Sequence, residues 1–329
     1  MRARLVGDGV ENPANARALL DTAAMFEVPC LFRDTRGLAD RWSVERGGRP
    51  LPTVGRGEVP APVVAVENTP GAGSVFTARP PAGRPSIVVG NERRGIRADL
   101  LSAAALSVQI PSPGRGVDTL NVASAAAVAL YYLLGATGRR TPRSSRSEAH
   151  RPAVLLVGPR DHVEAGSALR SAAAFGWQTV GLDDRDKVWF GTPRTMRAEG
   201  RAAARSHRNP LRVVPASGDV HSGYERVVVA GAHVPGPPLH RVDLTGGPRT
   251  ALVIPDGTVP EGVGVEYARV DVPGSDDRYR LVASIVLAEA ARQLGIRPTT
   301  RPRRFAYEST LTLVPPDSDL VHPHELLAY

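Results

Sequence analysis

The same succession of segments occurs twice in this chain, and that repetition constrains its fold more than any single motif. RARLVGDGV followed by residues 11–28 is a short apolar strand leading into a helical pattern. PAVLLVGPRD followed by residues 162–177 repeats it. SIVVGNERRGI (86–96) is answered by TALVIPDGTVPEGV (250–263), and residues 108–135 by 268–295. Each last segment is a strand, a Pro-containing loop and an amphipathic helix. Three pairs in one order indicate two related halves. Short Val/Ile strands alternating with helical segments predict an α/β protein with mainly parallel sheets.

Between the halves, residues 138–151 are basic, Ser-rich and poor in apolar side chains, which predicts a linker. The expected organisation is a first domain over 1–137, the linker, a second domain over 152–297 and a tail over 298–329. The chain has 329 residues, enough for two domains of ordinary size. Aromatics make up 5% of it, so Ala, Val and Leu must fill the cores.

Two strand ends carry the residues of greatest chemical interest. The strand ending at Val89 runs into Gly90-Asn91-Glu92. A second ends at Ile110-Pro111, and a loop then brings Thr119-Leu120-Asn121 to the start of an Ala-rich helix. This arrangement resembles the C-terminal signature of the SpoU (TrmH-like) branch of the SPOUT methyltransferases. The resemblance implies two trefoil-knotted SPOUT-like domains arranged as an intrachain pseudo-dimer. It implies S-adenosyl-L-methionine as cofactor and the ribose 2′-hydroxyl of an RNA (tRNA or rRNA) as methyl acceptor. On that resemblance Val89, Gly90, Glu92, Ile110, Pro111, Thr119, Leu120 and Asn121 are the cofactor-binding candidates. Gly90 lacks a Cβ and lets backbone approach a ligand closely. Ile110 and Leu120 are suited to wall an adenine.

The family also carries an Asn and, six residues on, an Arg. Asn15 stands at the Asn position, but Asp21 stands at that of the Arg. In the second half Arg170 stands at the Arg position and Glu164 at that of the Asn. There Pro255-Asp256-Gly257 replaces Gly-Asn-Glu, and Tyr279-Arg280-Leu281 replaces the Ser-Leu-Asn type. Pro255 has neither the conformational freedom of glycine nor a donor N–H. These reciprocal losses lead us to expect one composite site per chain. The first half holds the cofactor and contributes Asn15, Glu92 and Asn121; the second contributes Arg170.

The net charge of +8 comes from arginine, since Lys187 is the single lysine. Arginine suits phosphate recognition, although a nucleotide composition that favours Ala, Gly and Pro yields the same excess. Basic candidates for RNA docking are the linker, residues 194–212 and Arg297–Arg304. Cys30 stands alone, which excludes an intrachain disulfide and favours a small buried side chain. His322-Pro323-His324 has no partner cluster, so no metal is expected. No apolar run approaches the ~20 residues needed to span a bilayer, and the expected location is the cytoplasm, with no membrane partner. Two other readings stay open: a non-catalytic relative that binds RNA or the cofactor, and a methyltransferase for a small nucleoside-like molecule. Association beyond the internal pair is also left open.

Overall fold

The structure is a computed structural model. It describes residues 3–33, 50–55, 58–113, 119–135, 150–193, 211–216, 223–246, 249–257 and 264–296, with 35, 38, 41, 42 and 196 singly. The expected linker up to 149, most of the basic 194–212 segment, Arg297–Arg304 and the tail lie outside the described residues.

The first half contains strands β1 (Arg4–Asp8), β2 (Cys30–Arg33), β3 (Val63–Val66), β4 (Gly73–Ser74), β5 (Ser86–Val89) and β6 (Leu106–Gln109). Its helices are α1 (Pro13–Met25), α2 (Ala98–Ser102) and α3 (Val122–Leu134). The second half contains β7 (Ala153–Val157), β8 (Thr179–Asp183), β9 (Arg212–Pro215), β10 (Arg226–Gly231), β11 (Thr250–Pro255) and β12 (Val265–Arg269). Its helices are α4 (His162–Ala174) and α5 (Tyr279–Gln293).

Each half forms a six-stranded sheet in which the paired strands run parallel. The orders are β2-β1-β5-β3-β6-β4 and, from the far edge, β9-β8-β7-β11-β10-β12. Five strands therefore match one for one: β2 with β8, β1 with β7, β5 with β11, β3 with β10, and β6 with β12. The sixth strand lies on opposite edges, yet each half keeps a trace of the other's. Phe32 bridges Thr53 where the second half has β9, and Pro238 bridges Arg269 where the first half has β4.

The registers fix which residues correspond. Leu5 pairs with Ile87 in one sheet, and Val154 with Leu252 in the other. Helices α1 and α4 are each 13 residues long, so Asn15 and Glu164 share one position and Asp21 and Arg170 another. Val64 opposite Leu106 and Val228 opposite Glu266 carry Asn121 onto Leu281 and Ser124 onto Ser284.

Local chemistry starts these helices where they are needed. The side chain of Asn12 accepts from the Ala14 N–H, with Pro13 in the first turn of α1. Asp161 caps α4 through the N–H groups of Val163 and Glu164. Asn121 caps α3 by accepting from the Ala123 N–H at 2.9 Å.

Helix α3 is buried on nearly every side, as its apolar circumference requires. It packs on α1 and along α5, and α5 also packs on α4. One hydrophobic core consequently runs through both halves, from Leu5 and Leu19 through Leu130 to Ile285 and Leu169. Smaller clusters cover the outer sheet faces, around Val88 in the first half and Val229 in the second. At the centre of the seam the Ser284 hydroxyl donates to that of Ser124 at 2.9 Å. These two serines are each other's counterparts, so the bond joins equivalent points of the repeat. Cys30 is buried, as its sequence context suggests, and burial pushes its thiol up to about 12.

Candidate active site

Three loops at the C-terminal ends of β1, β5 and β6 meet beside α4 of the other half. The turn after β5 is tight. Asn91 and Gly95 pair through their backbones, and Asn91 Oδ1 accepts from the N–H groups of Arg93 and Arg94. The Asn91 amide donates to the Gly9 carbonyl at 2.7 Å, tying this turn to the end of β1. A Cβ on Gly90 would lie closer than 3.0 Å to the backbone of Gly95 and Ile96. The glycine therefore makes room for its own turn, whereas the sequence suggested room for a ligand. Gly90→Ala is expected to destabilise the protein by about 1–3 kcal/mol, as overpacking does, in a chemical denaturation series against wild type.

The side chains of the turn and the neighbouring loops form a continuous chain. Asn121 donates through Nδ2 to Asn15 Oδ1 at 3.2 Å, and Asn15 donates through Nδ2 to Glu92 Oε1. Arg170 arrives from α4. Its Nε donates to the Thr119 carbonyl at 3.1 Å, and an Nη contacts the Thr119 hydroxyl and the Leu120 carbonyl, each at 3.4 Å. Asn15, Glu92, Asn121 and Arg170 thus surround one loop, although they belong to two halves.

Of the other predicted residues, Ile110 and Leu120 are partly buried and pack against the shared core. Pro111 is buried. Val89 is 1% exposed within that core, so only its main chain remains for a ligand. Two polar residues escaped the sequence reading. Glu67, at the end of β3, accepts from the Ile96 N–H at 2.9 Å and so braces the turn. Gln109 donates to the Ala72 carbonyl, while its Oε1 is buried without a hydrogen-bond partner among the described residues. A polar residue closing each apolar strand was the signal for both.

The equivalent place in the second half is built differently. The Tyr279 hydroxyl, 3% exposed as a residue, donates to the Ile254 carbonyl at 3.3 Å. Burial and the charges of Asp256 and Glu164 hold that phenol well above its usual range. The remaining cavity, bounded by Val234, Pro255, Asp256, Tyr279 and Val282, has a volume of about 20 Å³, room for one water molecule. Arg160 ties Asp256 at 2.8 Å to Asp277 at 3.1 Å across this region. On this side Asp21, at the position equivalent to Arg170, pairs with Arg17 at 3.2 Å and with Arg278 of the second half at 3.6 Å. Among the described residues no cluster of three His, Cys, Asp or Glu side chains stands ready for a metal, and no helix is long and apolar enough to cross a membrane.

Residues 62–131 match the model of the SpoU rRNA Methylase family. The matched stretch takes in the turn after β5, Ile110-Pro111 and Asn121. Asn15 and Arg170 lie outside it. No curated protein sequence matches the chain. Similar solved structures include one described as giving insight into the 2-OH methylation of C/U34 on tRNA. It is 28% identical over 40% of this chain and 87% of that one, with a TM-score of 0.32. Another is an RNA 2′-O ribose methyltransferase, 29% identical over 40% of this chain and 55% of the other, with a TM-score of 0.31. A third is the SpoU methyltransferase AviRb from Streptomyces viridochromogenes in complex with AdoMet. It is 20% identical over 40% of this chain and 56% of that one, with a TM-score of 0.32.

Proposed function

We propose that this chain transfers a methyl group from S-adenosyl-L-methionine to a ribose 2′-hydroxyl of RNA, tRNA or rRNA, at one composite site. The observation that carries this reading is the position of Arg170. It reaches from the second half to the Thr119-Leu120 loop of the first, beside the chain of Asn121, Asn15 and Glu92. In this reading the two halves are a pseudo-dimer within one chain, each with the knotted SPOUT topology, and their boundaries lie near residues 137 and 152.

The residues present suit the cofactor. Ile110 and Leu120 offer apolar walls, the turn and loop offer main-chain groups, and Glu92 offers a carboxylate to a sulfonium. The buried Gln109 Oε1, lacking a partner among the described residues, is available next to Ile110 as an acceptor. When bound, the cofactor supplies an electrophilic methyl group.

The chain's own residues must then align the ribose oxygen and stabilise it as its proton leaves. We assign that task to Arg170, which reaches the Thr119-Leu120 loop. A guanidinium, with a pKa above ~12, serves as a clamp on phosphate or a stabiliser of alkoxide rather than as a base. Asn15 orients Glu92, and Asn121 orients Asn15 while starting α3. The replacement of Gly-Asn-Glu by Pro255-Asp256-Gly257 and of Asn121 by Leu281 in the second half supports a single cofactor site.

Incubation with methyl-labelled S-adenosyl-L-methionine and total RNA, followed by nucleoside mapping, tests the reading. A 2′-O-methylated nucleoside is expected. Cofactor binding without transfer would instead make this a binding protein, and transfer only to free nucleosides would change the substrate class. Calorimetric titration is expected to find one cofactor per chain, and two equivalent sites would overturn the composite arrangement.

A further inference from the structure

A buried ionic network lies behind the turn that carries Glu92. Asp8, at the end of β1, is 0% exposed, and Arg33, at the end of β2, is 1% exposed. Arg33 contacts Asp8 at 3.2 Å and binds Asp99 at the start of α2 through both terminal nitrogens. Arg33 Nε is buried without a partner among the described residues. The other Asp8 oxygen accepts from the Arg97 N–H at 2.9 Å. The Gly9 N–H donates to the Arg33 carbonyl, and the Gly9 carbonyl accepts from Asn91. Residues 8 and 9 therefore grip the turn at both ends, at Asn91 and at Arg97, with Glu92 between the grips.

Such a network is a poor way to stabilise a fold, because burying charges costs about as much as pairing them returns. The chain contains its own comparison. At the matching positions of the second half, Val157 stands for Asp8 and Asp183 for Arg33, as the pairings of β1 with β2 and of β7 with β8 show. Val157 packs in an apolar cluster, while Asp183, also buried, pairs with the exposed Arg185. The same sheet position is thus served by an apolar residue in the half whose Gly-Asn-Glu sequence is lost.

We infer that Asp8, Arg33 and Asp99 are positioning residues that fix the 90–97 turn, and with it Glu92, in the geometry that methyl transfer requires. The inference rests on the proposed function, and it adds a role for residues that the resemblance does not mark. They act through Asn91 and Arg97; no contact of theirs with substrate is invoked.

The test uses the full chain. The double variant Asp8→Val with Arg33→Leu replaces the buried pair by apolar residues, valine being the residue that the second half carries at the Asp8 position. Its thermal stability is expected to equal or exceed that of wild type, while kcat falls by roughly 10²-fold, the scale of a small misplacement at a reacting centre. KM for RNA should change little. Asp99→Ala, at a side chain 58% exposed, guards against a double variant that fails to fold. It should fold normally and lose about 10-fold in kcat, an intermediate share of the same misplacement. Amide hydrogen exchange in the ligand-free protein should quicken at Ile96 and Arg97 in both variants and stay unchanged elsewhere in the first sheet. Undiminished kcat in a folded variant, or unchanged exchange at the turn, would overturn the inference. A wild-type protein without methyl transfer would refute the proposed function, and the exchange measurement would still decide whether the network holds the turn.

Discussion

Arg170→Ala is expected to lower kcat by roughly 10²–10³-fold, the loss seen when one preorganised donor to developing charge is removed. The cofactor Kd should rise far less. Arg170 donates to two carbonyls of the Thr119-Leu120 loop, so its loss loosens that loop without removing Ile110, Leu120 or the turn after β5. Single-turnover methylation of RNA, with cofactor affinity measured separately by calorimetry, checks both parts. Arg170→Lys should recover little, because an ammonium cannot hold loop carbonyls and a phosphate or alkoxide with one planar fork. Unchanged single-turnover rates in Arg170→Ala would remove this residue from the chemistry.

Glu289→Ala is expected to cost about 3–5 kcal/mol of stability, the penalty for removing one partner of a buried ion pair. Glu289 on α5 is fully buried. It accepts from Tyr132 of α3 at 2.6 Å and is paired with Arg292 at 2.6 Å, with Gln293 at 3.0 Å. Its removal takes the carboxylate away from a buried guanidinium and a buried phenol. Equilibrium denaturation should show the loss, and Tyr132→Phe should cost only ~1 kcal/mol, the worth of a typical hydrogen bond.

The pH dependence has a definite sign. Burial alone would raise the Glu289 carboxyl, but Arg292, Tyr132 and Gln293 outweigh it and hold the group below its ordinary value of 4.5. A depressed carboxyl contributes stability that is fully present above the unfolded value. That contribution disappears as pH falls from about 4.5 through the lower folded value. Wild type should therefore lose stability over this acid range, and Glu289→Gln should lose less.

The repeat was legible because strands and helices leave periodic apolar patterns, and the pattern survives where the motifs do not. Asn15, Glu92, Asn121 and Arg170 were singled out through the family resemblance, Arg170 from the second copy, and the structure brings them close to one another. Their mutual hydrogen bonds were not legible, because they join residues far apart in sequence. The ionic network around Arg33 left no periodic trace, since its members are isolated polar residues at strand and helix ends. Glu289 reads in sequence as an ordinary charged position on an amphipathic helix. Only the packing of α5 on α3 encloses it. Gly90 was singled out for the close approach of a ligand, and its neighbours show that its own turn also leaves no space for a Cβ.

The packing of α3 on α5 has a consequence for how such a protein can change. In a symmetric assembly of identical subunits every substitution is made twice, so an exchange that improves one face of the contact also alters the other. Here the two faces are encoded separately. Tyr132 can meet Glu289 although the position of Tyr132 is occupied by Arg292 in the second copy and that of Glu289 by Ala129 in the first. Each copy can therefore change its side of the contact without imposing the same change on the other.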